Sequence, residues 1–440
     1  MRISVFAGLL IALCLPSLIR AAELPLREYR KRLQERIVRA DASEMVEFLG
    51  EIQREVQRAK RLDLIPLVFE ALVAMQDKDV VARGLQILNA VGAEALAPIG
   101  DLRLGNDRIA AMERVVWMLV AASFDGAKSE DWLINGLDSE HVIVQRHAIE
   151  GLEARRSKRA IPILIGILEK DGVDRSTRAY EARMALISLT GHDYDVAEDW
   201  RKLWEGHKDS LDPSNLRRND GGRTGVTVLK DPPEFFGVNL VSKRVVFVVD
   251  VSESMRKFDH DAVTEDDDEG WEKKQRLYRL KWHFAKTVHK LPSDAMFTVL
   301  VFGSTVDSLS KKLVPASRSW KRKARDLIYR QKGGGDTNTK AALRVAFDYQ
   351  GVDTILFLSD GAPQALGRTS DQLIPEIEDM VQDLNSLRRV RVFTFGFEGV
   401  GEWPPGSKQR SRGPMPGALD FLGFMRRLAV RNGGTYTPIQ

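Results

Sequence analysis

The sequence predicts a multidomain protein in which an α-helical solenoid is followed by an α/β doubly wound parallel sheet. The first observation is a helical pattern with prolines at matching places over the amino-terminal half. The second is an aperiodic stretch rich in Pro, Gly, Asn and Arg that follows it. The third is a regular alternation of apolar runs and helical segments in the remaining half, which predicts parallel strands with helices on both faces.

The composition is that of an ordinary globular protein. The chain has 440 residues, enough for two or three cores, with 43% apolar and 29% charged residues. Its 66 Lys and Arg residues are nearly balanced by 62 Asp and Glu residues, for a formal net charge of +4. Because this leaves almost no net field, we expect no nucleic-acid partner.

Residues 1–22 are predicted to be a signal peptide. Arg2 provides a positive start, residues 5–19 are apolar, and Ala21 and Ala22 are small enough for a cleavage site. The apolar part is shorter than the about 20 residues that a membrane-spanning helix needs. We therefore expect an exported protein, periplasmic or extracellular, with no membrane span after cleavage. A retained anchoring segment is the alternative.

The single cysteine, Cys14, lies inside this predicted signal peptide. After cleavage the chain would contain no thiol, which excludes disulfides, zinc–thiolate sites and cysteine nucleophiles from the mature protein. A chain without thiols also suits an oxidising compartment.

Residues 27–208 are predicted to form a helical repeat domain. Prolines end three matching triplets, at 64–66, 96–98 and 160–162, so the period is about 30 to 34 residues, which is the range of two-helix repeats. We expect four or five degenerate repeats. Repeats of this kind stack into a solenoid whose concave face is often a binding surface. A simple spacer is the alternative role.

The clearest unit, residues 138–168, resembles a HEAT-type repeat, in which an acid, a valine, an arginine and an alanine mark the first helix. The matching residues here are Asp138, Val142 or Val144, Arg146 and Ala148. At the end of the array, Trp200 and Trp204 are spaced to share one helix face and are predicted to close its core. Residues 209–240 are then predicted to be a linker.

Residues 241–440 are predicted to form the α/β domain. Its first strand is a continuous apolar run, which suits a strand that is buried on both faces. The predicted strands are residues 244–249, 295–302, 354–358 and 390–395, and the predicted helices are residues 277–291, 320–329, 340–349, 374–387 and 421–430. In sheets of this kind ligands bind outside the carboxyl ends of the strands.

Three polar segments lie at or beside those strand ends. They are DVSES at 250–254, GGGDTNTKAAL at 333–343 and FLSDGAP at 357–363. The glycine loop lacks the adjacent Gly and Lys followed by Ser or Thr that a phosphate-binding loop requires. A single D-x-S-x-S could be a turn or a cap, but all three segments together resemble the von Willebrand factor type A domain and its metal-ion-dependent adhesion site (MIDAS). The resemblance covers about residues 243–438.

This resemblance implies a set of metal ligands. Ser252, Ser254 and Thr337 would coordinate the ion through their hydroxyls, and Asp250 and Asp360 would act mostly through bound waters. The implied ion is Mg²⁺, or Mn²⁺ or Ca²⁺, which prefer oxygen ligands. Neutral hydroxyl ligands leave the ion under-neutralised, so the carboxylate of an Asp or Glu on a protein partner can complete its coordination.

Two features depart from the relatives. Glu253 stands where many relatives have glycine, and its side chain would either point to solvent or crowd the metal. An acidic insertion at 258–270 follows, either a solvated loop or a Ca²⁺ site beside the metal. A second loop, at 399–418, is rich in Gly, Pro, Ser and Arg and is predicted to be disordered or to face a partner.

No pattern for catalysis stands out. The histidines are scattered and no nucleophile elbow is present, so we expect no enzymatic activity. The expected function is metal-dependent binding of a protein partner. Two alternatives remain: a scaffold that binds through the helical array and uses the metal structurally, and an accessory subunit that positions a separate enzyme. The sequence does not indicate an oligomeric state.

Overall fold

The computed structural model describes residues 24–75, 77–96, 108–173, 176–215, 233–259, 271–365, 368–398, 401–403 and 418–440. Several sequence predictions concern other residues. The predicted signal peptide with Cys14, the proline at 98, the acidic residues 260–270 and most of the loop 399–418 lie outside the described residues.

The amino-terminal region is a helical array. Its helices within the described residues are α1 (Leu26–Arg39), α2 (Ala42–Ala59), α3 (Ile65–Met75), α4 (Lys78–Val91), α5 (Arg108–Ser123), α6 (Ala127–Gly136), α7 (Val142–Ala154), α8 (Ala160–Asp171), α9 (Thr177–Thr190) and α10 (Ala197–His207). Side chains cap several helix starts: the Asp41 carboxylate accepts from the Glu44 amide, and the Ser176 hydroxyl accepts from the Ala179 amide.

The array is a stack of helix pairs, as the sequence repeats predict. Each odd-numbered helix from α1 to α9 contacts the next odd-numbered one, which is the layered packing of a solenoid. Pro66 and Pro162 lie in the first turns of α3 and α8, where a missing amide hydrogen costs nothing. Trp200 is fully buried and closes the core at α10. No helix within the described residues has both the length and the apolar character needed to cross a bilayer.

The carboxyl-terminal region is an α/β fold around a twisted sheet, as predicted. The strands are β1 (Glu234–Phe235), β2 (Val238–Asn239), β3 (Arg244–Asp250), β4 (Met296–Phe302), β5 (Val306–Ser308), β6 (Val314–Pro315), β7 (Thr354–Ser359), β8 (Arg391–Phe397) and β9 (Tyr436–Ile439). The helices are α11 (Arg276–Lys290), α12 (Arg318–Tyr329), α13 (Thr339–Asp348), α14 (Ser370–Asn385) and α15 (Ala418–Arg431).

The main sheet has the strand order β5-β4-β3-β7-β8-β9, and β6 also pairs with β4. The four predicted strands, β3, β4, β7 and β8, are parallel and central, and β9 extends them in parallel. The short strands β5 and β6 are antiparallel to β4 and were not predicted. Both are only two or three residues long and mostly polar or exposed, so they lack the apolar run that indicates a buried strand.

Apolar layers cover both faces of this sheet. One layer holds α11, α12 and alternate residues of β3, including Phe247 and Val249. The opposite layer holds α13, α14, α15 and the other β3 residues, including Val246 and Val248. Burial on both faces explains why β3 is apolar throughout, because every residue of the strand faces a layer of helices.

The predicted linker 209–240 ends in structured chain. The strands β1 and β2 form an antiparallel hairpin, and the fully buried ring of Phe235 packs edge-on against Phe247 and Phe395 of the main sheet. The chain from 233 onwards therefore packs with the α/β region, a few residues before the predicted boundary at 241.

The array packs against the amino ends of β7 and β8. Arg146 of α7 is 4% exposed and donates from Nη1 to the carbonyl oxygens of Asp353 and Arg389, at 2.9 and 2.7 Å. Its Nε donates to Glu181 of α9 at 2.8 Å, and Glu181 also accepts from Arg391 of β8. The two regions thus share a buried cluster of charges.

Candidate functional site

The sheet register brings two acidic residues to one edge. Asp250 is the last residue of β3, and Asp360 comes directly after Ser359, the last residue of β7. These strands are parallel neighbours in which Val249 pairs with Leu358. The Asp250 side chain and the Asp360 side chain are both fully buried at this carboxyl edge.

Hydrogen bonds join the predicted ligands of the first and third segments. The Ser252 amide donates to Asp250 Oδ1 at 2.7 Å, which turns the chain back towards the strand end. The hydroxyl oxygens of Ser252 and Ser254 lie 3.1 Å apart, and Ser254 Oγ donates to Asp360 Oδ1 at 2.6 Å. Because Ser254 uses its proton on Asp360, both serine oxygens keep lone pairs for a cation.

Thr337 reaches the same place from the glycine loop. Its side chain is buried, and a Cβ placed on Gly361 would lie 3.6 Å from Ser254 Oγ and 3.9 Å from Thr337 Oγ1. The two hydroxyls therefore lie close to one another beside Gly361. All five predicted ligands, Asp250, Ser252, Ser254, Thr337 and Asp360, meet at this edge.

Backbone hydrogen bonds hold the glycine loop against the DVSES turn. The Gly334 amide donates to the Val251 carbonyl at 2.9 Å, and the Glu253 amide donates to the Gly335 carbonyl at 3.1 Å. Gly335 has a φ of +79°, which only glycine adopts readily. A Cβ on Gly303 would lie 2.8 Å from the Gly334 carbonyl oxygen, so this approach also requires glycine.

The electrostatics of the two acids differ. Burial and, secondarily, the charge of Asp360 raise the pKa of Asp250 to about 7, although hydrogen bonds from Ser252 and Ser359 oppose the rise. Asp360 has a cationic neighbour, because Arg276 Nη1 donates to its Oδ2 at 2.9 Å. The Asp250 carboxylate accepts only neutral hydrogen bonds from the described residues that contact it.

Ser359 and Arg276 were not predicted as site residues. Ser359 Oγ donates to Asp250 Oδ2 at 2.6 Å, and Arg276 is 1% exposed between Asp259 and Asp360. Burial opposes the Arg276 charge, but the carboxylates of Asp360 and Asp259 outweigh it and raise its pKa. Because Ser359 directly precedes the predicted ligand Asp360, the sequence could have indicated it as a site residue. Nothing in the sequence distinguishes Arg276 from other helix arginines.

The backbone at Glu253 does not have the positive φ that would favour glycine. It begins a short 3₁₀ turn, Glu253–Arg256, and is not among the non-glycine residues with positive φ. Its side chain is partly exposed. The substitution therefore leaves the turn that positions Ser252 and Ser254 unstrained.

The donor set fits a hard divalent cation. Three hydroxyls and two carboxylates converge, and oxygen ligands of this kind suit Mg²⁺, Mn²⁺ or Ca²⁺. One of the carboxylates, Asp250, is buried without a cationic partner among the described residues, and a buried charge of that kind is costly until a cation neutralises it. Across the described residues, no group of three or more His, Cys, Asp or Glu side chains is arranged to hold a metal.

Comparison with known families agrees with this geometry. Residues 245–362, which include all five predicted ligands, match the family model of the von Willebrand factor type A domain. The chain contains a von Willebrand factor type A domain. Domains of this family often mediate protein–protein interactions. No curated protein matches the chain.

Several solved structures are similar to part of this chain. A von Willebrand factor type A protein from Catenulispora acidiphila is 16% identical, with a TM-score of 0.30, and the match covers 44% of this chain and 38% of that one. An aerotolerance-related membrane protein from Bacteroides fragilis is 17% identical, with a TM-score of 0.31, over 44% of this chain and 90% of that one.

The conserved hypothetical protein BatB from Bacteroides thetaiotaomicron is 15% identical, with a TM-score of 0.29, over 44% and 89% of the two chains. The present chain thus spans well under half of the Catenulispora protein. TM-scores this low support no conclusion about function.

Proposed function

We propose that the type A domain is a non-enzymatic, metal-dependent binding module for a protein partner. Ser252, Ser254 and Thr337 would hold Mg²⁺, or Mn²⁺ or Ca²⁺, through their hydroxyls, and Asp250 and Asp360 would act through bound waters. The observation that supports this most strongly is the buried Asp250 carboxylate beside hydroxyl oxygens with free lone pairs.

The charges around the site favour an acidic ligand. Arg276 and Arg279 pair with Asp259 and Asp360, whereas Asp250 accepts no hydrogen bond from a cation among the described residues. A divalent cation beside Asp250 would more than balance its single negative charge. The carboxylate of a partner Asp or Glu would then neutralise the site and complete the coordination of the ion. The bound ion supplies a docking point for that carboxylate.

The predicted signal peptide also suggests where the protein works. Because residues 1–22 have the pattern of a signal peptide, we propose that the protein works after export, in the periplasm or outside the cell. The partner itself is defined only by its chemistry, an exposed carboxylate.

Manganese binding tests the proposal on the full chain. We expect titration of Mn²⁺, followed by water-proton relaxation, to give one tight site in the wild type and at least about tenfold weaker binding in Asp250→Ala, because Asp250 would hold the waters that coordinate the ion. N-acetyl-aspartate amide should lower the relaxivity of the bound Mn²⁺ by displacing its water. N-acetyl-asparagine amide, which has no carboxylate, should leave it unchanged.

Ser254→Ala should also weaken Mn²⁺ binding, because it removes a hydroxyl ligand. Ser319→Ala is its matched control, because Ser319 is an exposed serine of α12 outside the ligand set. Equal Mn²⁺ affinity in Asp250→Ala and the wild type would reject the site. Tight Mn²⁺ binding without any response to the aspartate ligand would favour the alternative scaffold, in which the metal is structural.

A further inference from the structure

The outer face of α12 and the loop before it are strongly basic. Between residues 309 and 335 the only acidic residue is Asp326. The exposed cations of this segment are Lys311, Lys312, Arg318, Arg322, Lys323, Arg325, Arg330 and Lys332. A concentration of one sign of charge contrasts with the near balance of the whole chain, and the sum of such charges attracts anions to a surface.

Part of this basic surface is concave. A cleft of about 720 Å³ lies between the end of α11 and the start of α12. Its polar lining comes from His289, Ser293, Ser317, Arg318, Ser319, Lys321, Arg322 and Arg325. No carboxylate belongs to this lining, all of which the structure describes. We call it the α11–α12 cleft.

Three arginines of the α11–α12 cleft are available to a ligand. Arg318, Arg322 and Arg325 are exposed, and none of them forms an ion pair with a described residue. They lie on successive turns of α12, so their guanidinium groups follow one another along the cleft. Guanidinium groups bind carboxylates in bidentate fashion, which makes a row of them suited to a row of acidic side chains.

Lys321 has a different role in the same cleft. Its Nζ donates to the carbonyl oxygens of His289 and Leu291, at 2.9 and 2.5 Å, and so ties the start of α12 to the end of α11. Burial lowers the pKa of Lys321. Lys321 therefore holds the two helices together at the base of the cleft. The exposed side chains of the three arginines can adjust to a ligand.

We infer that the α11–α12 cleft is a second docking surface, and that it binds an acidic segment of a partner protein. A flat anionic membrane fits less well, because a concave site limits contact and α12 exposes only Tyr329 among its large apolar side chains. Nucleic acid also fits less well, since recognition of single strands uses aromatic stacking, and Trp320 is already covered by Lys323, with its Nζ 4.3 Å from the ring centroid.

The inference does not rest on the proposed metal site. The α11–α12 cleft borders Ala316, whose amide donates to the carbonyl of Ala295, just before β4 begins. It therefore lies near the amino end of β4, whereas the metal ligands lie at the carboxyl ends of β3 and β7. Binding at the α11–α12 cleft should persist when a chelator removes all divalent ions.

Fluorescence anisotropy with a labelled peptide of ten glutamates tests the inference. The full chain is titrated in chelator, first at low salt and then at about 0.15 M salt, where screening weakens exposed charges. We expect the wild type to bind the peptide and Arg322→Glu/Arg325→Glu to bind it at least about tenfold more weakly, because reversed charges repel the ligand.

Arg30→Glu/Lys31→Glu is the matched control, since it reverses two exposed cations of α1 on the helical array. It should bind the peptide as the wild type does. If the double reversal impairs folding, as judged by its thermal midpoint, Arg322→Gln/Arg325→Gln provides the same test with a smaller expected loss of about threefold.

Two results would overturn the inference. One is an equal loss of affinity in the cleft variant and in the α1 control, which would show only non-specific attraction. The other is tighter binding of the wild type to phosphatidylglycerol vesicles or to single-stranded DNA than to the glutamate peptide, which would assign the cleft to a different class of anion.

Discussion

The two ends of the central strands each bury a cluster of charges, but they balance it differently. At the amino end, Glu181 lies between Arg146 and Arg391, and further Arg146 bonds go to backbone carbonyls. At the carboxyl end, Asp250 is buried against hydroxyls, amides and a second carboxylate. The acid of the first cluster is paired with cations of the protein, whereas Asp250 accepts no hydrogen bond from a cation among the described residues.

The pKa values follow this difference. Burial tends to raise the pKa of Glu181, but Arg391 and Arg146 outweigh it and lower the value. Burial and Asp360 act together on Asp250 and raise its pKa to about 7. An acid that is paired with cations joins two parts of a fold, whereas an acid without such a partner at a strand end indicates a place for a ligand of the opposite charge.

Loss of Glu181 should have the largest effect at the amino end. Glu181→Gln leaves Arg146 and Arg391, which are 4% and 9% exposed on their side chains, without a counter-charge. We expect the free energy of unfolding to fall by about 3–5 kcal/mol, the usual cost of breaking a buried pair. Denaturation in urea, followed by circular dichroism, measures it.

Glu169→Gln is the control for that substitution, because it removes a glutamate from an exposed pair with Arg201. It should cost at most about 1 kcal/mol. Equal costs for the two variants would mean that the amino-end cluster does not hold the array to the sheet.

His147 makes the same interface sensitive to acid. Its Nε2 donates to the Leu387 carbonyl at 3.0 Å, and burial, together with the charges of Arg389 and Arg146, lowers its pKa to about 3. Between pH 6.5 and about 3 the unfolded chain binds a proton at this histidine and the folded chain does not. Stability should therefore fall as the pH falls through this window, by up to about 1.4 kcal/mol per pH unit.

Urea midpoints at pH 7.5, 6.5, 5.5 and 4.5 test this dependence. His147→Gln keeps an amide donor for the Leu387 carbonyl and should flatten the loss on acidification. His207→Gln changes an exposed histidine at the end of α10 and should keep the slope of the wild type. A wild-type slope in His147→Gln would assign the acid sensitivity to other groups.

The smallest effect is expected at the rim of this interface. Lys78 of α4 and Asp383 of α14 form an ion pair at 2.8 Å, with side chains 32% and 39% exposed. Lys78→Ala should cost about 0.2–1 kcal/mol, and the cost should disappear near 1 M salt, where the screening length is about 3 Å. A larger cost, or one that does not change with salt, would mean that this ion pair stabilises the interface as the buried charges do.

The sequence alone predicts which residues lie at the carboxyl ends of the central strands. The apolar run before Asp250 predicts a strand buried on both faces, and the polar residues after it then lie at the sheet edge. The type A resemblance placed Ser254, Thr337 and Asp360 at the same edge. The hydrogen bond from Ser254 to Asp360 agrees with that placement across 106 residues of sequence.

The amino end could not be predicted in the same way. Arg146 was noted only as a residue of the repeat pattern, yet its contacts are with Asp353 and Arg389, more than 200 residues away. Such pairing depends on how the helical array packs against the α/β region. The periodicity of either region alone does not contain that information. The same applies to Arg276, which reaches Asp360 only because α11 packs beside β3.

The strand β7 has a mechanical consequence. Its amino end follows Asp353, whose carbonyl accepts from Arg146 of the array, and its carboxyl end precedes Asp360 in the ligand set. Parallel ladders to β3 and β8 flank it on both sides. A partner pulling on the site along the strand would load these ladders in shear, so that all their hydrogen bonds resist together. Tension would thus pass along β7 and its ladders to the helical array.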